Sequence, residues 1–415
     1  MVIGKGLEKG HLLEEEVLEF SSKVLQDIEF SRKKILVIIP DHTRTAPLPL
    51  FFKVIYDLIG NKVKKLDYLI ALGTHPPLSE DRILKLIGIT KEEKEKKYST
   101  INFFNHKWND PSSLVRIGTI SKEKIEEITE GLIREGVDVE INKMVLDYDI
   151  LVIVGPTFPH EVVGFSGGNK YFFPGISGPR ILNFFHWLGA LITNMKINGI
   201  KDTPVRKVID LASSFIKIPK VCFSLVVKDG KLSGLFIGTP EEAWDKAVEL
   251  SKKLHIIYKD KPFKEVLGVA PKMYEDLWTA GKVMYKLENV VEDGGELIIY
   301  APHITEVSYT HGKILDKVGY HVRDYFLAQE EKFSWVPGGI KAHSTHVKGI
   351  GTYKDGIEKP RINVILATGI PKERCELINL GYRDPKEIDL SSWENKENEG
   401  KLLVWNAGEI LYRLK

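Results

Sequence analysis

One lysine of this chain is set among glycines: Gly164-Phe165-Ser166-Gly167-Gly168-Asn169-Lys170-Tyr171-Phe172-Phe173-Pro174-Gly175. Gly167 and Gly168 let the backbone take φ > 0 and leave room for a ligand to approach closely. Pro174 and Gly175 keep the segment out of a continuous helix. A lysine amine on such a loop is a candidate nucleophile or covalent anchor. His160 lies ten residues before Lys170 and His186 sixteen after it. Imidazoles in those places either bind a metal or move protons.

Other chemistry-bearing residues follow short apolar runs. Residues 35–39 lead into Asp41-His42-Thr43-Arg44, residues 66–72 into Gly73-Thr74-His75-Pro76, and residues 150–154 into Gly155 and then His160. Residues 296–300 lead into Ala301-Pro302-His303, and His106 follows 101–104 in a polar loop. In open α/β sheets ligands bind beyond the carboxyl ends of the strands, so these tails share one candidate rim. Arg44 suits a carboxylate in a bidentate fork, or pairs structurally with Asp41. Gly73, Thr74 and His75 offer backbone N–H groups to a phosphate, or make a plain turn. His343 and His346 stand three apart, but with no helical frame evident around them the spacing carries little.

The elements that must position these residues alternate. Runs at 34–39, 66–72, 150–154 and 220–227 read as strands, and 47–58, 79–87, 122–134 and 240–254 as helices. A second set follows, with strands at 266–270, 296–300, 362–367 and 402–404 and a helix at 274–288. The pattern predicts an α/β fold of two domains built on parallel-rich, doubly wound sheets. The break at Asp260–Phe263 predicts a first domain over 1–262, carrying the motifs, and a second over 263–415. The charged runs 91–97 and 394–399 read as solvated surfaces.

Composition bounds the function. At 415 residues the chain exceeds one ordinary core. Lys+Arg of 59 against Asp+Glu of 57 leaves a net charge of +2, which gives no reason to expect nucleic acid or an anionic membrane as partner. Two distant cysteines, Cys222 and Cys375, argue against a disulfide framework and fit a reducing cytoplasm. The first twenty residues show no secretory h-region, and no apolar run approaches a membrane span.

Several signatures are absent: no strand leads into Gly-x-Gly-x-x-Gly, no Gly-x-x-x-x-Gly-Lys-Ser/Thr occurs, and His160-Glu161 lacks the second histidine of a zinc-protease helix. Gly164-Phe165-Ser166-Gly167-Gly168 fits Gly-x-Ser-x-Gly, but a nucleophile elbow needs a helix directly after its serine, and the glycines and Pro174 oppose one.

Taken together, Asp41-x-x-Arg44, Gly73-Thr74-His75-Pro76, Asn105-His106, Pro159-His160, the Gly164–Ile176 loop around Lys170, and His186 resemble the nickel-dependent lactate racemase family. The resemblance covers nearly the whole chain and is most specific from Pro159 to His186. It implies two α/β domains with the site in the cleft between them. It implies a nickel-pincer nucleotide cofactor, a pyridinium mononucleotide whose two sulfur arms and ring carbon grip nickel, held covalently on Lys170. It further implies His186 as the protein's nickel ligand, His106 and His160 as the acid/base pair, and Arg44 with Asp41 on the substrate carboxylate. Gly73, Thr74, His75, Gly167 and Gly168 would border the cofactor. The implied reaction moves hydride from C2 of a 2-hydroxy acid to the cofactor and back to the other face, which avoids a carbanion. The small-molecule acid and the cofactor-synthesis enzymes are the implied partners.

One departure stands out. Lactate-acting members carry a lysine after a strand end of the second domain, whereas 301–308 here contains none. The polar residues that follow, at Ser308-Tyr309-Thr310-His311-Gly312 and at Tyr320-His321-Val322-Arg323, suggest a substrate more polar than lactate, such as a sugar acid. The alternatives are lactate racemase proper, or a zinc-dependent hydrolase or lyase using His303, His311, His343 and His346.

Overall fold

The structure is a computed structural model and describes residues 1–26 and 28–415. The chain forms two compact units. The first comprises Met1–Phe158, Ser166–Leu182 and Arg206–Leu254; the second comprises Pro159–Phe165, Asn183–Val205 and His255–Lys415. The units are thus interleaved in sequence, where a single cut after residue 262 was expected. Two short pieces, one with His160 and one with His186, group with the second unit.

The first unit holds a seven-stranded sheet. Its order is Ile3–Gly6, Lys231–Gly238, Lys220–Lys228, Ile150–Pro156, Lys34–Pro40, Lys65–Ala71 and Asn102–Asn105. The last five strands pair in parallel, and Lys231–Gly238 turns back antiparallel. Strands buried on both faces must be continuously apolar, and Lys34–Pro40 (KILVIIP) is buried from its second residue onward. The antiparallel edge with Ile3–Gly6 carried no clear alternation and was not expected.

The second unit holds a wholly parallel five-stranded sheet, ordered Gly381–Tyr382, Asn363–Thr368, Val291–Ala301, Phe263–Val269 and Lys401–Val404. Each unit has its own apolar core. The α/β, parallel-rich class expected from the sequence is the one adopted.

Helix boundaries differ for identifiable reasons. The helix expected at 274–288 starts at Leu277, because Asp276 caps it by accepting from Thr279 N at 3.0 Å and Thr279 Oγ1 at 2.9 Å. The helix expected at 122–134 is only Lys122–Ile128, since the chain takes positive φ at Glu130 and Gly131. Gly338–Lys348 is a helix, so His343 and His346 do share a helical frame, one turn apart. Lys91–Lys96 buries nothing, as its charge pattern suggests. No helix among the described residues is long and apolar enough to cross a membrane.

Candidate active site

In the first unit the lysine loop lies against the carboxyl ends of the parallel strands. Gly73, just past Lys65–Ala71, donates its N–H to Gly175 O at 2.9 Å. His106, just past Asn102–Asn105, reaches Ser177 O with Nε2 at 3.0 Å. Tyr171 stands within the electrostatic reach of Arg44 and Asp41, and its ring fills the space beside Gly155, where a Cβ would lie 1.9 Å from the hydroxyl. One segment therefore touches the ends of three parallel strands and lies within electrostatic reach of the tail of a fourth.

The glycines serve the loop's packing. A Cβ on Gly167 would meet Thr157 Oγ1 at 2.5 Å, and one on Gly168 would meet Trp244 Cβ at 2.9 Å. Both adopt positive φ, at 89° and 57°. The room expected for a ligand at these two positions is filled by Thr157 and Trp244. Asn169 donates to Asp210 at 3.0 Å and to Glu241 at 2.7 Å, and accepts from Ser213 Oγ at 2.8 Å. Buried Arg206 stacks on Trp244 with its guanidinium carbon 3.9 Å from the ring centre, and both terminal nitrogens point at Gly167 O at 3.4 Å. Burial lowers the Arg206 pKa to about 10. These supports carried no motif and were missed in the sequence. Lys170 is the half-buried member of an otherwise buried turn.

Ser166 donates to Pro156 O at 3.1 Å and accepts from Phe158 N at 2.9 Å. A short Gly168–Tyr171 turn follows it instead of a long helix, so the nucleophile-elbow reading fails.

Asp41 is buried. Its Oδ1 accepts from Thr43 N at 3.0 Å and Thr43 Oγ1 at 2.8 Å, and its Oδ2 meets His75 Nδ1 at 2.5 Å. It thereby joins two strand tails. Arg44 is half-buried and has no ion-pair partner among the described residues. Of the three amides expected to bind phosphate, Gly73 N–H is committed to Gly175 and His75 N–H to Leu72 O at 2.9 Å, which leaves that of Thr74.

His106 is buried with both nitrogens engaged. Nε2 faces a carbonyl and must carry hydrogen, while Nδ1 faces Asn142 Nδ2 at 3.2 Å and must accept; the tautomer follows from these partners. Burial lowers its pKa to about 4, and the Ser177 carbonyl opposes that shift only in part.

In the second unit His160 Nδ1 accepts from Val162 N at 3.1 Å, and Glu161 Oε2 lies 3.4 Å from the same nitrogen. Lys286 Nζ donates to Pro159 O at 2.5 Å. His186 is half-buried on the Pro179–Ile192 helix, and its charge is felt at His346. The lysine sought at 301–308 is absent there, yet Lys282 and Lys286 are both buried one turn apart. The Lys282 ammonium lies 4.7 Å over the Tyr274 ring. Sequence reasoning missed both because they sit in an amphipathic-looking run.

The polar residues expected to line a pocket mostly serve the scaffold. Glu306 and Asp316 hold Arg374 at 2.6 and 3.0 Å. His321 bonds Glu358 at 2.9 Å and stacks on Tyr325. Arg323 donates to Leu191 O at 2.8 Å. His303 is exposed and bonded to Tyr274 O at 3.0 Å. Among the described residues no three His, Cys, Asp or Glu side chains form a group that could hold a metal.

Comparison with known proteins agrees with the resemblance. The lactate racemase N-terminal domain matches residues 10–198. The lactate racemase of Thermoanaerobacterium thermosaccharolyticum is 25% identical over 308 residues, 71% of this chain and 67% of that protein. That of Lactiplantibacillus plantarum is 24% identical over 304 residues, 70% of this chain and 66% of that protein. The matches thus span about two thirds of these relatives. A crystal structure of a Thermotoga maritima protein superposes with a TM-score of 0.91 at 34% identity, covering 99% of this chain and 100% of that one. The lactate racemase apoprotein of T. thermosaccharolyticum shares the fold, with a TM-score of 0.74 at 20% identity over 99% and 94% of the two chains. The chain is thus similar to the lactate racemases, most directly through the match of residues 10–198 to their N-terminal domain. The curated members it matches carry the name of an isomerase.

Proposed function

We propose that this protein inverts C2 of a 2-hydroxy acid, using a nickel-pincer nucleotide tethered to Lys170. The observation that carries the reading is the convergence of the tails bearing Arg44, Gly73 and His106 on the single loop that bears Lys170. The donor set suits the cofactor. A pincer brings three donors of its own, so the protein need supply one ligand, His186, and one tether. A zinc site would need three or four protein donors, and no such group stands among the described residues. When bound, the cofactor supplies the hydride acceptor and donor.

The chain's residues do the rest. Arg44, with no carboxylate partner among the described residues, takes the substrate carboxylate in a two-point contact that fixes C2. Asp41, locked by Thr43 and His75, sets the tail from which Arg44 projects. His106 is neutral at physiological pH and takes the hydroxyl proton on Nδ1 once that nitrogen leaves Asn142. His160 serves the opposite enantiomer, with Glu161 in ion-pair reach when the ring is protonated. Lys286, through the Pro159 carbonyl, holds the backbone that aims His160. Thr74 N–H, Gly73, His75 and the loop bearing Gly167 and Gly168 border the cofactor's nucleotide. The preferred substrate is more polar than lactate, of the sugar-acid kind; lactate is the second reading.

A chiral assay of C2 inversion over a panel of 2-hydroxy acids, with cofactor-loaded protein, tests the proposal. Inversion of at least one acid is expected. No inversion of any, from protein shown to carry the cofactor, contradicts it.

A further inference from the structure

His343, on the Gly338–Lys348 helix, is held in one plane and one tautomer. Its ring stacks on the Trp278 indole, centroids 4.1 Å apart and 9° from parallel. Its Nε2 lies 3.1 Å from Trp278 O, so the hydrogen sits there. Nδ1 is therefore a lone-pair acceptor, buried and without a partner. Tyr320 packs beside it with ring centres 5.6 Å apart, and the Tyr320 hydroxyl is also buried without a partner. Buried polar atoms of native proteins are satisfied by something. His346, one turn on, lines a cavity of ≈ 20 Å³ with Asn194, Glu288 and Thr345, and His343 does not line that cavity. A cavity of that size has room for a water, so solvent is an available partner for His346 Nε2.

The uncommitted pair is one acceptor and one hydroxyl that donates. A group that both donates and accepts suits it, and an alcohol does both. A carboxylate would face the imidazole lone pair, and a methyl would leave both atoms unsatisfied. The neighbourhood is that of the second unit's candidate residues, since the charge of Glu161, beside His160, reaches His343.

We propose that His343 Nδ1 and the Tyr320 hydroxyl form a subsite for a hydroxyl on the substrate chain beyond C2, selecting aldonate-type acids over lactate. This rests on the 2-hydroxyacid reading above and gives it a specificity determinant.

The test uses the full-length chain. In cofactor-loaded protein, His343→Phe keeps an aromatic ring on Trp278 and removes the acceptor. It is expected to lower kcat/KM for a five-carbon aldonate about tenfold more than for lactate, the scale of one hydrogen bond to a substrate hydroxyl. One monodeoxy aldonate should escape the penalty, and His343→Asn should recover part of the loss. Equal losses on aldonate and lactate, with His343→Phe as stable as the parent in thermal melts, would assign His343 to packing and overturn the subsite. A second arm needs no turnover: the Nδ1 resonance of 15N-labelled His343 should move with aldonate and stay with lactate. No movement at a saturating aldonate concentration means water alone fills the site, and the proposal fails. Movement without C2 inversion of any acid upholds the subsite and removes the racemase reading instead.

Discussion

His106 Nε2 lies 3.0 Å from the carbonyl oxygen of Ser177, at the end of the lysine loop, and this contact decides which nitrogen of His106 carries the lone pair. The hydrogen is spent on Ser177, so Nδ1 carries the lone pair; Asn142 holds it at 3.2 Å, and in the proposed mechanism a substrate hydroxyl competes for it. Asn142→Leu removes that competitor and leaves the ring cavity filled. We expect substrate binding to be maintained while the pH dependence of kcat shifts, because Nδ1 no longer gives up a hydrogen bond on protonation. An unchanged profile would put proton transfer elsewhere.

Three buried histidines link stability to pH. Burial lowers His106 to about 4, His343 to about 3 and His346 to about 4, with weaker help from neighbouring groups opposing or adding to it. The unfolded chain binds protons at these sites near pH 6.5. Their folded pKa values are depressed, so the stability they contribute is full above about pH 6.5 and is lost as pH falls toward 4. Each contributes roughly 1.4 kcal/mol per pH unit within that window. Urea unfolding at pH 7 and 5 measures the slope, and His346→Leu should flatten it by about one proton.

Two glycines of the site should respond differently to alanine. Gly168→Ala meets Trp244 and Pro240 O at positive φ, and should cost about 2–4 kcal/mol from overpacking and strain combined. Gly73→Ala shares the positive φ but meets nothing within 4 Å, so about 1 kcal/mol is expected. Chemical denaturation of the pair separates packing from backbone strain. Similar costs would show that space around Gly168 is not what limits it.

Arg44→Lys keeps the charge and loses the fork. We expect kcat/KM for a 2-hydroxy acid to fall by roughly one to two orders of magnitude, with thermal stability preserved because Arg44 has no ion-pair partner among the described residues. A stability loss without a kinetic one would make Arg44 structural.

Much of this was legible in the sequence. The strands reveal themselves because parallel strands buried on both faces leave only apolar, β-branched runs, as in KILVIIP. The tails of those strands stood out because Asp41, Arg44 and His75 have no place in such a core. Other parts were not legible. The frame of His343 was hidden because Gly338–Lys348 opens with two glycines and carries polar residues on its buried face. Arg206 and Lys286 looked like ordinary charges on helices, and only the folded chain shows them buried, on Trp244 and the Pro159 carbonyl. The glycines at 167 and 168 were read as space for a ligand, because a sequence cannot show that Thr157 and Trp244 occupy it.

The central claim is the tether on Lys170. Intact-mass and peptide mass spectrometry of the protein, produced together with cofactor-synthesis enzymes, tests it most directly. The account predicts a nucleotide-sized adduct mapped to Lys170, lost in Lys170→Ala and retained in Ser166→Ala. An unmodified Lys170 in protein produced together with those enzymes, or an adduct that survives Lys170→Ala, would contradict it.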